Sequence, residues 1–290
     1  DAFLTRLDKE GNRDWIRLFG TEDDADWGRA LTNDKGGNVY LTGNLDGSLG
    51  NYDSDIFVTK YTSEGQEEWY KVFKTPEDTS GYDAGYDDEY VTDIKIGTDN
   101  SIYVSGYTSG GFEGVLNNNQ KSDTFIMKLN ERAEKEWVKL IDGDYSTGGF
   151  DIGKNGNIYI GGSTFSSFDG QLKPSGRNAY LTSINSDNGI TNWTRIFEGD
   201  QINDLTIDDK NNIFTAGYYG GNQAFLNSFN DSGDKLWEQK IDNSFLVDDL
   251  IEGKDGLLYL TASSKFNGSN SGPSYIAIFD KAGKQIWRED

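Results

Sequence analysis

The chain is organised in short runs in which apolar and polar residues alternate, and turn residues separate the runs. One run, residues 56–61, reads Ile-Phe-Val-Thr-Lys-Tyr and is followed by a turn with Gly65 and then by Trp69. Alternation with a period of two is typical of half-buried strands, and two such runs around a glycine turn predict a β-hairpin. No segment keeps a helical period, so the pattern predicts an all-β protein.

This hairpin recurs six times, and six of the seven tryptophans occupy the same position in it. Its turn contains glycine in five copies and Ala133 in the third. Successive tryptophans are 44 to 68 residues apart, which is the range of propeller blades. The repeated tryptophans are Trp15, Trp69, Trp137, Trp193, Trp237 and Trp287.

A second pair of short strands recurs five times between the hairpins, for example around Leu31 and over residues 39–43. Each unit therefore has four strands, which we name a, b, c and d in chain order. Four-stranded antiparallel units repeated in this way predict a β-propeller, with strand a innermost and strand d at the rim. We expect one domain over residues 1–290, with a half blade at 1–20 and blades at 26–74, 90–141, 148–198, 201–241 and 246–290.

Residues 1–20 contain strands c and d only. Two interpretations are open. Either strands a and b of this blade lie upstream of Asp1 in a longer chain, or the hairpin docks alone on a five-bladed ring. We favour the first, in which five complete blades and an N-terminal half blade, at six radial positions, are a piece of a longer protein.

The repeats resemble those of the SBBP family, the seven-bladed β-propeller type repeat of bacterial secreted and surface proteins. The resemblance lies in the run Asp55-x-Phe57-x-Thr59-Lys60, in the turn-Trp hairpin and in strands such as residues 38–43, Asn-Val-Tyr-Leu-Thr-Gly. It implies a propeller in an extracellular or cell-envelope setting, and the family has no shared catalytic residues. The copies in this chain are degenerate, and their number differs from seven.

Charge and composition narrow the functional classes. The formal net charge of −22 disfavours binding to nucleic acid or to anionic lipid surfaces. The chain has no cysteine and no histidine, which excludes disulfides, the Ser–His and Cys–His nucleophiles and the usual zinc sites. No apolar run approaches the length of a membrane span, so we expect no membrane insertion.

The six repeated tryptophans have two interpretations. They could be stacking platforms for sugars, but one large aromatic residue per blade beside a turn is more typical of a structural wedge between neighbouring blades. Trp27 lies outside the repeated hairpin position and follows the acidic segment 22–26. It is a candidate contact residue.

Three aspartates, Asp93, Asp204 and Asp249, share one register position on strand a, where they would line the channel of a propeller. Converging carboxylates could form the acid–base pair of a glycosidase or bind a cation. They could equally accept backbone N–H groups, a role repeated because the blade is repeated.

The acid-rich segment before the third blade suggests a calcium site, because calcium binds carboxylate and carbonyl oxygens. The candidate ligands are Asp83, Asp87, Asp88 and Glu89. Tyr82 and Tyr86 in the same segment are candidate binding residues. The long segments 74–89 and 107–122 are expected to project from opposite ends of the sheets.

The sequence thus predicts a non-catalytic binding or scaffold propeller that is secreted or on a bacterial cell surface. Its partners would be proteins or glycans at the surface, or other domains of its parent chain. The alternative is a propeller that binds or hydrolyses carbohydrate in its central channel. A hydrolase requires paired carboxylates in a cleft, whereas a scaffold does not.

Overall fold

The computed structural model describes residues 2–19, 26–45, 55–73, 89–109, 111–115, 122–141, 147–174, 176–219, 223–242, 244, 246–264 and 273–289. These segments contain 22 β-strands and no helix. The chain divides into two compact units, residues 1–141 and 142–290. The sequence pattern predicted the strands because alternation and glycine turns dominate it, and the all-β prediction is confirmed.

The first unit contains three antiparallel sheets in the orders β1-β2, β3-β4-β5-β6 and β7-β8-β9-β10. The first sheet therefore has two strands, which correspond to c and d, and the other two have four. The strands are β1 (Ala2–Leu7), β2 (Arg13–Phe19), β3 (Asp26–Asn33), β4 (Val39–Leu45), β5 (Asp55–Tyr61), β6 (Glu67–Phe73), β7 (Glu89–Ile96), β8 (Ile102–Thr108), β9 (Asp123–Leu129) and β10 (Lys135–Ile141).

The second unit contains three antiparallel sheets of four strands, each in the order a-b-c-d. Together the described residues form six sheets, the count that the six tryptophans predict. The strands are β11 (Thr147–Ile152), β12 (Asn157–Thr164), β13 (Asn178–Asn185), β14 (Thr191–Phe197), β15 (Gln201–Ile207), β16 (Ile213–Tyr219), β17 (Gln223–Phe229), β18 (Lys235–Asp242), β19 (Leu246–Glu252), β20 (Leu258–Ser263), β21 (Ser274–Phe279) and β22 (Gln285–Glu289).

The c–d hairpins share one irregularity that aims the tryptophan. In the second sheet Tyr61 pairs with Glu67 but Lys60 pairs with Trp69, so Glu68 is an extra residue on strand d. The other c–d pairs shift register at the same place, immediately before their tryptophans. A bulge bends its strand and redirects the side chain that follows it. This one directs each indole out of its sheet.

Within each unit, neighbouring sheets pack face to face through apolar residues. The strands a of neighbouring sheets are in contact, β3 with β7 in the first unit and β15 with β11 and β19 in the second. Phe57 on strand c of the second sheet is fully buried, with the ring of Phe19 from the first sheet at 5.3 Å. Phe225 holds the same repeat position in the second unit, and it too is fully buried. Each sheet therefore depends on its neighbour to cover one of its faces.

Leu31 shows what happens where a neighbour lacks strands. It lies on strand a of the second sheet, and the preceding sheet, β1-β2, has no strands a and b in the described residues. The side chain of Leu31 is 60% exposed, whereas Leu205 and Leu250, at the same repeat position, are at most 3% exposed. Burial at this position thus comes from the neighbouring inner strands.

The two long segments of the first unit emerge at the same end of the third sheet. At that end Glu89, the first residue of β7, pairs with Thr108, the last of β8, and Thr108 pairs with Asp123, the first of β9. The prediction that the segments project from opposite ends is therefore wrong. In an antiparallel sheet strand a begins where strand b ends and strand c begins, so the d–a and b–c connections share one end. We call this the loop end of a sheet.

Leucine substitutions at this single repeat position test the packing. Leu205→Ala should lower the free energy of unfolding by about 2–5 kcal/mol, because it leaves a cavity between two sheets. Leu31→Ala removes the same atoms from an exposed site and should cost less than about 1 kcal/mol. Urea unfolding followed by circular dichroism measures both. Equal losses for the two variants would show that the neighbouring inner strands do not decide burial at this position.

Candidate functional site

Three of the repeated tryptophans, Trp15, Trp193 and Trp237, lie against the c–d turn of the next sheet. The indole N–H of Trp193 donates to the carbonyl oxygen of Asp231 at 2.9 Å, and that of Trp237 donates to Lys281 at 3.0 Å. In the first unit Trp15 donates in the same way to Ser63, at 3.2 Å. Each acceptor is two residues before a turn glycine with positive φ.

The turn glycine leaves room for the indole. A Cβ built on Gly233 would lie 2.9 Å from the indole of Trp193, and one on Gly65 would lie 2.6 Å from that of Trp15. Contacts below 3.0 Å force one group to move. A glycine at this position therefore serves both the positive φ of the turn and the approach of the ring.

Two arginines reinforce the same contact. The Nε of Arg195 donates to the carbonyl oxygen of Gly233 at 3.0 Å, and its guanidinium lies 5.2 Å from the ring centre of Trp193. Arg17 has the equivalent position beside Trp15 and donates to Gly65 at 2.5 Å. The indole contact thus combines apolar packing, a hydrogen bond and a cation–π interaction.

The remaining tryptophans occupy different surroundings. Trp69 packs on the cluster that contains Ala133, the residue at the turn position of the next sheet, and its ring centre is 6.1 Å from that of Tyr40. Trp137 packs beside Tyr103, with 6.3 Å between ring centres. Trp287, in the last sheet, is 43% exposed.

Truncation of two tryptophans tests the structural role. Trp193→Ala should lower the free energy of unfolding by about 2–4 kcal/mol, because the indole fills the space between two sheets. Trp287→Ala, at an exposed position, should cost less than about 1 kcal/mol. Urea midpoints monitored by circular dichroism give the comparison. A normal midpoint for Trp193→Ala would show that this indole is not a wedge.

The structure brings together two of the three inner-strand aspartates within one unit. A register shift immediately precedes Asp93, Asp204 and Asp249, so a bulge redirects each side chain as it does for the tryptophans. Asp204 and Asp249 belong to adjacent sheets of the second unit, and their carboxyl groups are hydrogen-bonded to each other. Asp93 belongs to the first unit, where it accepts the N–H of Ile94 at 2.8 Å and pairs with Lys95 at 3.3 Å.

The aspartate pair also joins two inner strands through the backbone. The Oδ2 of Asp204 accepts the N–H of Leu250, on the next sheet, at 2.7 Å. Asp151, two residues along from the aligned Gly149, makes a similar link, because its Oδ2 accepts the N–H of Ile207 at 3.1 Å. These carboxyl groups therefore act as clamps between strands a of neighbouring sheets.

Asp204 is a weaker acid than an ordinary aspartate, because it is buried beside the carboxyl group of Asp249. Burial, and then the hydrogen bond with Asp249, raise the pKa of Asp204 to about 8, while the backbone N–H groups of Leu250 and Leu205 lower it by less. Two carboxyl groups in contact cannot both ionise at low cost, so the pair retains a proton at neutral pH. Burial and the charge of Asp249 also raise the pKa of the adjacent Asp248.

This proton links stability to pH. Unfolded aspartate has a pKa of about 3.9, so between about pH 4 and pH 8 the native state holds more protons at Asp204 than the unfolded state does. The contribution of Asp204 to stability is then complete below pH 4 and is lost as the pH rises through 8. One pKa unit corresponds to about 1.4 kcal/mol, so the slope is measurable.

Asp204→Asn tests the linkage, because asparagine can keep the bond from Leu250 but does not titrate. Its free energy of unfolding should fall less than that of the native protein between pH 5 and pH 8. Asp187→Asn, at an exposed turn, removes the same charge and serves as the control. If both variants follow the slope of the native protein, Asp204 is ionised throughout this range.

A second polar cluster lies at the loop end of the second unit, where sequence reasoning placed nothing. Arg177, just before β13, donates to Gln201 at 2.7 Å, to Ser163 at 3.0 Å and to the hydroxyl of Tyr218 at 3.1 Å. These residues come from two adjacent sheets. Arg177 lies in a b–c connection outside the repeated pattern, so no periodic signal marked it.

The loop end of the first unit holds Trp27 and Glu89. Trp27 is 44% exposed, and the guanidinium of Arg29 lies 5.4 Å from its ring centre. Glu89 is buried, where it accepts the hydroxyl of Thr108 at 3.0 Å and Asn44 donates to its backbone carbonyl at 2.5 Å.

Most of the predicted calcium ligands lie in a part of the chain that the structure does not describe. Asp83, Asp87 and Asp88, and with them Tyr82 and Tyr86, lie outside the described residues. Among the residues that are described, no three acidic side chains come together as a metal-binding group. The calcium site therefore stays a prediction. The described part of the chain also contains no helix long and apolar enough to cross a membrane.

Comparison with known proteins identifies the fold. No family model matches the sequence, and a search of curated proteins finds no match. Among solved structures, the Dos1 propeller superposes with a TM-score of 0.59 at 12% identity, over 99% of this chain and 64% of that one. An inactive virginiamycin B lyase from Staphylococcus aureus, bound to quinupristin, has a TM-score of 0.57 at 13% identity, over 99% and 74%.

A protein of unknown function from Bacteroides caccae is similar to the same degree, with a TM-score of 0.56 at 13% identity over 97% of this chain and 87% of that one. At these identities the likeness defines the fold and nothing finer. The chain has a β-propeller fold, and its six sheets are the blades.

Proposed function

We propose that this chain is a non-catalytic propeller module that binds partners at its loop ends, in a secreted or cell-surface protein. The observation that carries the proposal is the shared position of the long connections. Both long segments of the first unit emerge at one end of the third sheet, beside Glu89 and Thr108. Loops on a rigid β scaffold are where binding residues concentrate.

The exposed chemistry at the loop ends suits a protein or glycan partner. Trp27 offers an exposed indole with a guanidinium over its ring, and aromatic and arginine side chains dominate binding contacts. Tyr90 and Tyr107 stack at the same end, with 5.0 Å between their ring centres. A net charge of −22 argues against nucleic acid as the partner.

The geometry of the inner aspartates argues against the alternative, a carbohydrate hydrolase. Glycosidases hold their two carboxyl groups about 5 to 9.5 Å apart so that the sugar or a water lies between them. The side chain of Asp249 is hydrogen-bonded to that of Asp204, so no sugar or water lies between the two carboxyl groups. The Oδ2 of Asp204 is also engaged with the backbone of Leu250. A structural clamp explains both features.

The lyase similarity does not supply an activity either. The virginiamycin B lyase in the comparison is a histidine-to-alanine variant described as catalytically inactive. The present chain contains no histidine. An activity that depends on that side chain has no counterpart in this sequence.

A hydrolase panel with a glycan array tests the absence of catalysis. We expect no turnover of nitrophenyl glycosides above the buffer rate, and no difference between the native protein and the double variant Asp204→Asn, Asp249→Asn. Turnover that the double variant loses would establish the hydrolase instead. A glycan bound only by the native protein would favour the channel as a lectin site.

Photo-crosslinking locates the binding surface. A photoreactive amino acid at Trp27 should capture purified cell-envelope glycan or protein. The same residue at Lys35, in the a–b turn at the opposite end of the same sheet, is the matched control and should capture none. Capture from Lys35 alone would place the binding surface at the wrong end for this proposal.

A further inference from the structure

Two neighbouring residues of the fifth sheet, β15–β18, depart from the repeat at buried positions. Thr215 on strand b lies two residues before Gly217, at a position where the other four-stranded sheets have a buried apolar residue. Its direct partner on strand c is Asn227, which occupies the position of Thr59 in the second sheet. The two departures therefore lie side by side. The apolar residues aligned with Thr215 are Leu41, Val104, Ile160 and Leu260.

Both side chains face the apolar contact between the fourth sheet, β11–β14, and the fifth. Phe225 and Phe229 lie two residues before and after Asn227 on strand c. Both belong to a buried cluster that includes Leu181 of the fourth sheet. Side chains two residues apart on a strand share a face, and so do directly opposed residues. Asn227 and Thr215 therefore lie on this face, and the exposed fraction of each is 0%.

Three polar atoms of this pair have no hydrogen-bond partner among the residues that the structure describes. They are Oδ1 and Nδ2 of Asn227 and Oγ1 of Thr215. The aligned threonine of the second sheet is bonded within its own sheet, because Thr59 donates to the carbonyl oxygen of Trp69 on strand d at 3.0 Å. Asn227 makes no such bond. Its amide therefore needs a partner that the repeat does not provide.

Water is the partner that fits these three atoms. Buried polar groups are almost always hydrogen-bonded, either to protein or to internal water. An internal water makes about three hydrogen bonds and needs a site with several polar groups. The amide of Asn227 both donates and accepts, and the hydroxyl of Thr215 can do either. An ion does not fit, because both side chains are uncharged and the cluster around them is apolar.

We propose that the fourth and fifth sheets enclose a water-binding site formed by Asn227 and Thr215. The bound water bridges strands b and c of the fifth sheet through the two side chains. A lone hydroxyl would offer a buried water a single partner, so both residues are required. This requirement explains why the two departures from the repeat occur in the same sheet and at opposed positions.

A high-resolution crystal structure of the native protein tests the site directly. We expect the density of one oxygen atom about 2.7–3.2 Å from Oγ1 of Thr215 and from the amide of Asn227. Thr42 is the internal control, because it is equally buried but its hydroxyl donates to the carbonyl oxygen of Phe57 at 2.8 Å. No water should lie beside that hydroxyl.

A double variant, Asn227→Thr with Thr215→Val, should remove the water. It restores residues that the repeat already has at these positions, as in Thr59 and Val104, so it should fold. The new threonine can donate to strand d as Thr59 does. The crystal structure of this variant should show the same sheet without the oxygen density.

The sign of a stability change tests the site in solution. Thr215→Val replaces the hydroxyl with a methyl group, so with the water bound it should lower the folding equilibrium constant about threefold to tenfold. Thr42→Val loses a hydrogen bond to the protein and is the matched control, with a loss of similar size. If the hydroxyl of Thr215 had no partner, its removal would raise the constant instead. Urea unfolding followed by circular dichroism measures both variants.

Three results would overturn the proposal. The native crystal structure could show Asn227 bonded to protein atoms, with no water beside Thr215. The oxygen density could persist in the double variant, which would mean that other groups hold the water. Thr215→Val could stabilise the protein, which would show that its hydroxyl has no partner in the native state.

Discussion

The fold depends on the contact between an indole of one sheet and a turn of the next. A four-stranded antiparallel sheet has two faces and cannot bury either one alone. In this chain the bulge before each tryptophan directs the ring out of its sheet, as for Trp193, and the following turn receives it at Gly233. The ring contributes apolar area while its N–H bonds to a turn carbonyl, so the contact sets the position of the neighbouring sheet as well as stabilising it.

The inner strands are joined by a different chemistry. Strands a of neighbouring sheets are joined by carboxyl groups that accept backbone N–H groups from the next sheet, as Asp204 does from Leu250. Burying a charged carboxylate costs free energy, and Asp204 avoids this cost because it keeps its proton beside Asp249. A raised pKa often marks a functional site, but structural networks produce it too. The backbone bond from Leu250 and the contact between the two carboxyl groups show that this pair joins neighbouring strands a.

Much of the fold could be predicted from the sequence because the repeat encodes it locally. The alternation of apolar and polar residues predicted the strands, and glycine and asparagine predicted the turns. The number of repeated tryptophans predicted the number of sheets. The loop-end residues could not be found in this way. Arg177 lies in a connection that differs from blade to blade, and its partners Ser163 and Gln201 come from two sheets. The prediction that the two long segments project from opposite ends was wrong for a different reason. It misjudged the directions of the strands that the segments connect, not the residues within them.

The repeat also explains why the same residue type has different roles along the chain. Phe3 and Phe57 occupy one repeat position, yet one is exposed and the other buried, because burial is decided by the neighbouring sheet. No property of the individual repeat distinguishes them. Position within the array is therefore part of what determines the function of each residue, and it becomes visible only in the structure.

Hydrogen exchange of the indole N–H groups, followed by NMR, tests the central contact most directly. Since the N–H groups of Trp15, Trp193 and Trp237 donate to turn carbonyls, their exchange should be slowed well below that of the exposed Trp287. Exchange of all four at the same rapid rate would show that the indoles do not join the sheets, and some other contact would have to hold neighbouring blades together.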